Sequence, residues 1–341
     1  MPGWPGMDRF AGRIVHPQKW PEDLRYDGKR VVVIGSGATA VTVVPALAET
    51  AAHVVMLQRS PSYIVARPSE EAMAKWLRRW LPARPARAIV RWKNILLQMY
   101  LYRLARRKPE AVKAQILKLA EAAIGPAFDA KHFSPRYNPW DERMCLVPDG
   151  DLFAALRNGK ASVVTGEIET FTETGLRLLS GEEFEADIIV TATGLKMRLM
   201  GGIVIEVDGA PVDVANTTTY KSAMFSDIPN LASVFGYTNA SWTLKSDLIA
   251  DYVCRLLNHM DRRGYTVCTP RRGDAPITED PTLPLTSGYI QRAKGLLPKQ
   301  GARTPWRMNQ NYALDVLALR FGAIDDGALE FKGRDLASRA A

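Results

Sequence analysis

A chain of 341 residues with 47% apolar and 24% charged side chains has the balance of a globular protein, long enough for one large or two ordinary domains. Its formal charge of +9 is moderate, so the placement of the basic residues carries more information than their sum. Three widely spaced cysteines, Cys145, Cys254 and Cys268, suggest neither a disulfide framework nor a metal site, and they fit a reducing cytoplasm. No apolar run is long enough to span a bilayer, and Met1 to Gly6 lacks the basic-then-apolar order of a signal peptide.

The first residues alternate Pro and Gly with aromatic side chains and read as loop. Phe10 to Pro21 reads by spacing as a linker with one short strand, in which His16 is a hydrogen-bonded hinge residue. The next stretch, Asp27 to Ala40, organises the chain. Val31-Val32-Val33-Ile34 is too short for a helix and rich in β-branched residues, which predicts a strand buried on both faces of a parallel sheet. It ends in Gly35-Ser36-Gly37-Ala38-Thr39-Ala40, and Val41 to Ala48 continues as a helix. In such a turn Gly35 permits the tight bend, Gly37 admits a pyrophosphate, and Ala40 lets the helix pack close to the strand. A purely structural glycine turn is the competing reading.

The second strand, His53 to Leu57, runs into Gln58-Arg59-Ser60. An NAD site places an acid there for the ribose 2′-hydroxyl, whereas Arg59 and Ser60 match a 2′-phosphate, so NADP(H) is expected. A solvated arginine at a strand end is the alternative. Between Ala72 and Pro109 there is no Asp or Glu, while Lys75, Arg78, Arg79, Arg84, Arg87, Arg91, Lys93, Arg103, Arg106, Arg107 and Lys108 accumulate among Trp76, Trp80, Trp92, Leu96 and Tyr100. Pro82 and Pro85 divide this region into two helices, and a third covers Glu110 to Ile124. Two readings compete: a basic amphipathic surface for an anionic membrane, and an insertion whose apolar faces pack inward while its arginines are solvated. The inward-packing reading is preferred, and nucleic acid is not expected.

Lys131 to Phe153 reads as a polar, aromatic loop. Within it Arg143 is the candidate for a fixed cation beside a negative charge built in a dry site, the alternative being a pair with Asp141 or Glu142. Ser162–Thr165, Glu169–Thr172 and Leu176–Leu179 are expected as short antiparallel strands. Asp187 to Thr191 is a second buried strand, closing in Ala192-Thr193-Gly194. Downstream, Ala232 to Thr243 leads into a helix over Leu244 to Met260 that Ser241 or Thr243 could cap, and Leu297 to Tyr312 reads as a docking loop.

Several of these segments resemble known motifs. Phe10, Gly12, His16, Trp20 and Pro21 match the fingerprint of the Baeyer–Villiger monooxygenases, and Ala192-Thr193-Gly194 resembles the motif that closes their NADP domain. From Phe10 almost to the C-terminus the chain is similar to the ethionamide-activating type of that family, through GSGATA, LQRSP, RWKN, YNPWDER, GYTNASWTLK and TPWRMNQNY. The resemblance implies an α/β two-dinucleotide-binding flavoprotein fold. Residues 1–26 would be a fingerprint linker, 27–194 a Rossmann-like NADP domain with a helical insertion at about 70–127, and 195–341 the C-terminal part of an FAD domain. It implies FAD, NADPH and dioxygen, with ketones or sulfur compounds as substrates, and no metal. Arg143 would then be the active-site arginine that steadies the peroxide anion, and Asn239 and Trp242 would lie where the flavin edge is held.

Two-dinucleotide flavoproteins carry two glycine-rich fingerprints, and these residues contain one. The expectation is therefore a chain without the opening FAD segment and the active-site acid it carries. It would be a monooxygenase once that half is supplied, for example by a partner chain. The alternative is an inactive remnant that still binds NADPH. A cytoplasmic location, with peripheral membrane contact through the basic helices of residues 75–108, completes the reading.

Overall fold

The computed structural model describes residues Pro2 to Gly333, which fall in two compact units divided between Leu195 and Lys196. The first is built on a parallel five-stranded sheet. Its strands, in spatial order, are β1 (Arg13–Val15), β10 (Ile188–Thr191), β2 (Arg30–Ile34), β3 (His53–Gln58) and β6 (Ala161–Thr165). The alternation of side chains along β2 gives each face its own core. Val31 and Val33 pack with Val54, Met56, Ile188 and Val190 beneath α1 (Ala38–Ala48) and, later in the chain, α6 (Asp151–Arg157). Val32 and Ile34 pack with Leu57 and Ile189 against Phe171, Leu176 and Leu178 of a small antiparallel sheet. That sheet is formed by β7 (Ile168–Phe171), β8 (Gly175–Leu178) and β9 (Glu183–Glu185). A strand covered on both sides has no reason to alternate polar with apolar, which is why β2 reads as a continuous apolar run.

Three sequence expectations are corrected in this unit. Ser162–Thr165 is not antiparallel: it lies in β6, the parallel edge strand paired with β3. The one short strand expected between Phe10 and Pro21 forms as β1, and its pairing with β10 builds that segment into the sheet. Lys131 to Phe153 is not all loop, since it contains part of α5 (Ala130–Phe133), β5 (Cys145–Pro148) and the start of α6, with β5 parallel to β4 (Ile64–Arg67). Finally, the helical insertion α2 (Ala72–Trp80), α3 (Ala83–Arg107) and α4 (Pro109–Ile124) does not turn its aromatic residues inward. Ala86, Ile95 and Ala105 are the buried residues of α3, while Trp76, Trp80, Leu96 and Tyr100 are exposed. Pro82 caps α3 and Pro85 falls in its first turn, where a missing N–H costs nothing.

The second unit is organised on α7 (Trp242–Arg263), whose buried stripe is Lys245, Leu248, Ile249, Tyr252, Leu256 and Met260. The strand β15 (Tyr265–Pro270) follows it and pairs antiparallel with β18 (Leu329–Gly333). Three short antiparallel pairs complete it: β11 (Ile205–Val207) with β12 (Ala210–Val212), β13 (Thr219–Tyr220) with β14 (Met224–Phe225), and β16 (Ile277–Thr278) with β17 (Gln300–Gly301). Two short helices, α8 (Gly288–Ala293) and α9 (Tyr312–Val316), lie in its later part. Among the described residues no helix is long and apolar enough to cross a membrane.

Candidate functional site

The turn after β2 sits where the strand order reverses. From β2 the chain crosses to β3 on one side, while β10 arrives from far along the sequence on the other. In open parallel sheets ligands bind at such a point, outside the carboxyl ends of the strands. Gly35 has φ +142°, and a Cβ on it would stand 2.3 Å from the carbonyl oxygen of Ala192. The two turns expected to matter, Gly35–Gly37 and Ala192–Gly194, are therefore packed together, and only glycine allows that approach. Gly37 is different: a Cβ there would meet nothing within 4 Å. Its exposed backbone opens the N-terminus of α1, which has no side-chain cap and no acidic residue in its first turn. Ala38 and Thr39 begin that turn, and buried Ala40 packs into the core beneath it. Unpaired backbone N–H groups at this helix end form an anion site without further side chains.

The end of β3 is tied to the same turn. Ser36 Oγ donates to the Ser60 carbonyl at 3.0 Å and lies 2.9 Å from Ser62 Oγ. Arg59 and Ser60 are exposed. Gln58 before them is buried, its amide donating to the His132 carbonyl and to Thr165 Oγ1, with its own oxygen unpaired. The Arg143 segment also reaches this region, because the Cys145 thiol lies 3.8 Å from the Ser36 carbonyl. Arg143 is exposed, and the neighbouring Asp141 bonds Arg106 at 2.5 Å and the Asn138 N–H at 3.0 Å. Burial raises the Glu142 carboxyl above its usual range, with Asp141 adding to the effect. Burial likewise pushes the Cys145 thiol up to about 11, which makes it a packing residue rather than a nucleophile.

The fingerprint residues have structural work of their own. Phe10 is buried, edge-on to Phe171 at 6.3 Å between centroids. A Cβ on Gly12 would lie 2.4 Å from the Asp187 carbonyl oxygen, so the chain passes close to the start of β10. His16 Nδ1 accepts the Gln18 N–H at 3.2 Å, as the hinge reading expects. Trp20 stands edge-on to Tyr26, and Pro21 is half-buried beside it in sequence.

In the second unit, Trp242 begins α7 and its ring covers Gly236, where a Cβ would meet the indole at 2.2 Å. Trp242 is 46% exposed, and Asn239 is buried with its amide donating to the Gln310 carbonyl at 3.0 Å. Ser241 is the N-cap residue of α7, but its hydroxyl pairs with Thr243 Oγ1 at 2.8 Å rather than with a backbone N–H. The expected side-chain cap is therefore absent. The segment expected as a docking loop does dock within this unit: Gln310 Oε1 accepts the Thr238 N–H at 3.0 Å and the Thr238 hydroxyl at 3.1 Å.

Sequence reasoning missed the ion pair beneath that loop. Lys245 has no exposed surface and its ammonium contacts Asp315 of α9. The Tyr237 hydroxyl donates to the same carboxylate at 2.5 Å, and the Lys245 ammonium stands 4.7 Å from the Tyr237 ring centroid. Burial pulls the Lys245 pKa down and Asp315 opposes it. The signal was present in the sequence: Lys245 falls on the i, i+3, i+4, i+7 stripe with Leu248, Ile249 and Tyr252, a core position for a charge. Among the described residues no group of three or more His, Cys, Asp or Glu is placed to hold a metal ion.

The sequence pattern of the flavin-binding monooxygenase-like family matches residues 1–200. The FAD-containing monooxygenase EthA of Mycobacterium tuberculosis is 52% identical over 335 residues, which is 98% of this chain and 68% of that protein. Among solved structures, oxidized steroid monooxygenase bound to NADP aligns with a TM-score of 0.67 at 19% identity, over 98% of this chain and 72% of its own. The FAD-bound OTEMO structure aligns with a TM-score of 0.59 at 19% identity, over 80% of this chain and 61% of its own. The chain thus spans about two thirds of the length of the curated relative.

Proposed function

The chain belongs to the flavin-binding monooxygenase-like family, and from that premise we propose that it serves FAD- and NADPH-dependent oxygenation of ketones or of sulfur in small organic molecules. The observation that carries the reading is the convergence of Gly35–Gly37, Ala192–Gly194 and the Ser36-linked Arg59–Ser60 segment at one end of the sheet. When bound, NADPH would supply the reducing equivalents and FAD the capacity to activate dioxygen. The open backbone at Gly37 and the N-terminal N–H groups of α1 hold the pyrophosphate. Arg59 and the Ser60 hydroxyl hold the 2′-phosphate, with no acid at the end of β3 to repel it. Arg143, unable to lose its proton, is the fixed cation for negative charge developed during oxygenation. The uncapped start of α7, with Asn239 and Trp242 beside it, suits the electron-rich edge of a flavin. On this reading residues 1–26 are the fingerprint linker, 27–194 the NADP-binding domain, and 195–341 the C-terminal part of an FAD domain.

The test is cofactor preference in the full chain. Wild type binds NADPH more tightly than NADH, and Arg59→Ala binds both equally, measured by calorimetric titration. Wild-type protein that binds the two equally removes the 2′-phosphate assignment. A second reading, an NADPH-binding protein that does not oxygenate, rests on there being one glycine-rich dinucleotide turn in these residues. Flavin absorbance of the purified protein separates the two: yellow protein supports the first reading and colourless protein the second.

A further inference from the structure

Helices α2 and α3 carry an apolar outer face within a region that has no acid from Ala72 to Pro109. On α2, Trp76 and Trp80 stand one turn apart and are 58% and 73% exposed. On α3, Leu96 and Tyr100 stand one turn apart and are 59% and 61% exposed, with exposed Ile89 and Leu101 extending the apolar surface. These side chains are not a buried stripe seen from its edge. The side chains that α3 buries are others, Ala86, Ile95 and Ala105.

The charge pattern along α3 is segmented. Arg84, Arg87 and Arg91 lie toward its start and Arg103, Arg106 and Arg107 at its end, while Asn94 to Tyr102 between them is uncharged. Some of the basic residues have acid partners, since Lys75 pairs with Glu70, Lys93 with Glu71 and Arg106 with Asp141. Arg78 and Arg87 instead bond carbonyls one turn back in their own helices, and both are exposed. A helix of 25 residues is about 37 Å long, enough to lie flat on a surface over several lipid headgroups. Tryptophan and tyrosine favour the boundary between headgroups and acyl chains, and arginines flanking an uncharged apolar segment suit anionic headgroups. Aliphatic Ile89, Leu96 and Leu101 offer no stacking surface for nucleic-acid bases.

We propose that the outer faces of α2 and α3 dock on an anionic lipid bilayer, with Trp80, Leu96 and Tyr100 entering the headgroup boundary and exposed Arg103 and Arg107, which follow Tyr100 at i+3 and i+7 on the same face, holding lipid charge. This inference stands apart from the nucleotide site and does not depend on it.

Co-sedimentation of the full chain with vesicles tests it, using phosphatidylcholine alone and phosphatidylcholine mixed equally with phosphatidylglycerol. The chain pellets with the anionic vesicles and much less with the neutral ones, and salt weakens the binding. Arg103→Gln with Arg107→Gln lowers the partition coefficient about fivefold per residue, the effect of one basic side chain near an anionic surface. Trp80→Ser with Leu96→Ser lowers it further while leaving the melting temperature unchanged, because both positions are exposed. Equal pelleting with the two vesicle types, absence of pelleting with both, or unchanged binding by the Trp80/Leu96 variant overturns the proposal. So does a lipid-free dimer, seen by sedimentation velocity, that the same variant converts to monomer, for then the face belongs to a second copy of the chain.

Discussion

The two glycines of the turn after β2 should fail in different ways when given a methyl group. In Gly35→Ala the new Cβ would lie 2.3 Å from the Ala192 carbonyl oxygen, and the backbone would hold alanine at φ +142°. Overpacking of this kind costs about 1–3 kcal/mol and the strained backbone about as much again, so a loss of about 3 kcal/mol or more is expected. In a unit of this size that lowers the melting temperature by about 10 °C. In Gly37→Ala the Cβ meets nothing within 4 Å, and the backbone at φ −80° accepts alanine. The stability cost there stays below about 1 kcal/mol, the difference between glycine and alanine at a helix N-cap. The methyl group nevertheless occupies the space through which a pyrophosphate reaches the α1 N–H groups, so NADPH affinity falls at least tenfold, about 1.4 kcal/mol. Thermal melts and NADPH titrations on both variants separate the effects. A Gly35→Ala protein as stable as wild type would refute the packing argument, and unchanged NADPH affinity in Gly37→Ala would refute the cradle.

Lys245→Met leaves the Asp315 carboxylate buried without its cation and is expected to cost about 3–5 kcal/mol in denaturant unfolding, whereas breaking the exposed Arg307–Asp280 pair costs at most about 1 kcal/mol. Lys245→Met combined with Asp315→Leu recovers much of the loss; equal, small costs at both pairs would deny Lys245 its core role. The Arg30 N–H, helped by the Arg30 guanidinium, holds the Asp187 carboxyl below its usual range. A depressed carboxyl gives stability that is present above its unfolded pKa and is lost as pH falls through the folded one. Acid unfolding below about pH 4 should accordingly be shallower in Asp187→Asn, and identical acid limbs in the two proteins would exclude the contact as a contributor. Cys254 is exposed while Cys145 and Cys268 are buried, so a thiol reagent should titrate Cys254 rapidly in the native chain and all three cysteines after denaturation. Fast reaction of Cys145 would contradict its burial beside Ser36.

What the sequence by itself determined was local. The β-branched run Val31–Ile34, the glycine turn and the helix after it are signals carried within a few residues of one another, and each formed where it was read. Arg59 and Ser60 at the end of β3 were legible in the same way, because residue type and distance from the glycine turn are both written along the chain. The tertiary structure decided what depends on distant partners. Ser162–Thr165 has the composition of any strand, and only the free edge of β3 made it parallel. Phe10 to Pro21 read as a linker with one short strand, but that this strand, β1, closes an edge of the sheet was decided by β10 arriving there from far along the chain. Lys245 falls on the core stripe of α7, but only the packed chain supplies Asp315 and Tyr237 as its partners. The aromatic residues of α2 and α3 have the spacing of a core stripe, but a helix has more than one face. The side chains that α3 buries are Ala86, Ile95 and Ala105, and Trp76, Trp80, Leu96 and Tyr100 stay outside. Periodicity records that a face is apolar; which neighbour covers it is fixed only when the rest of the chain has packed.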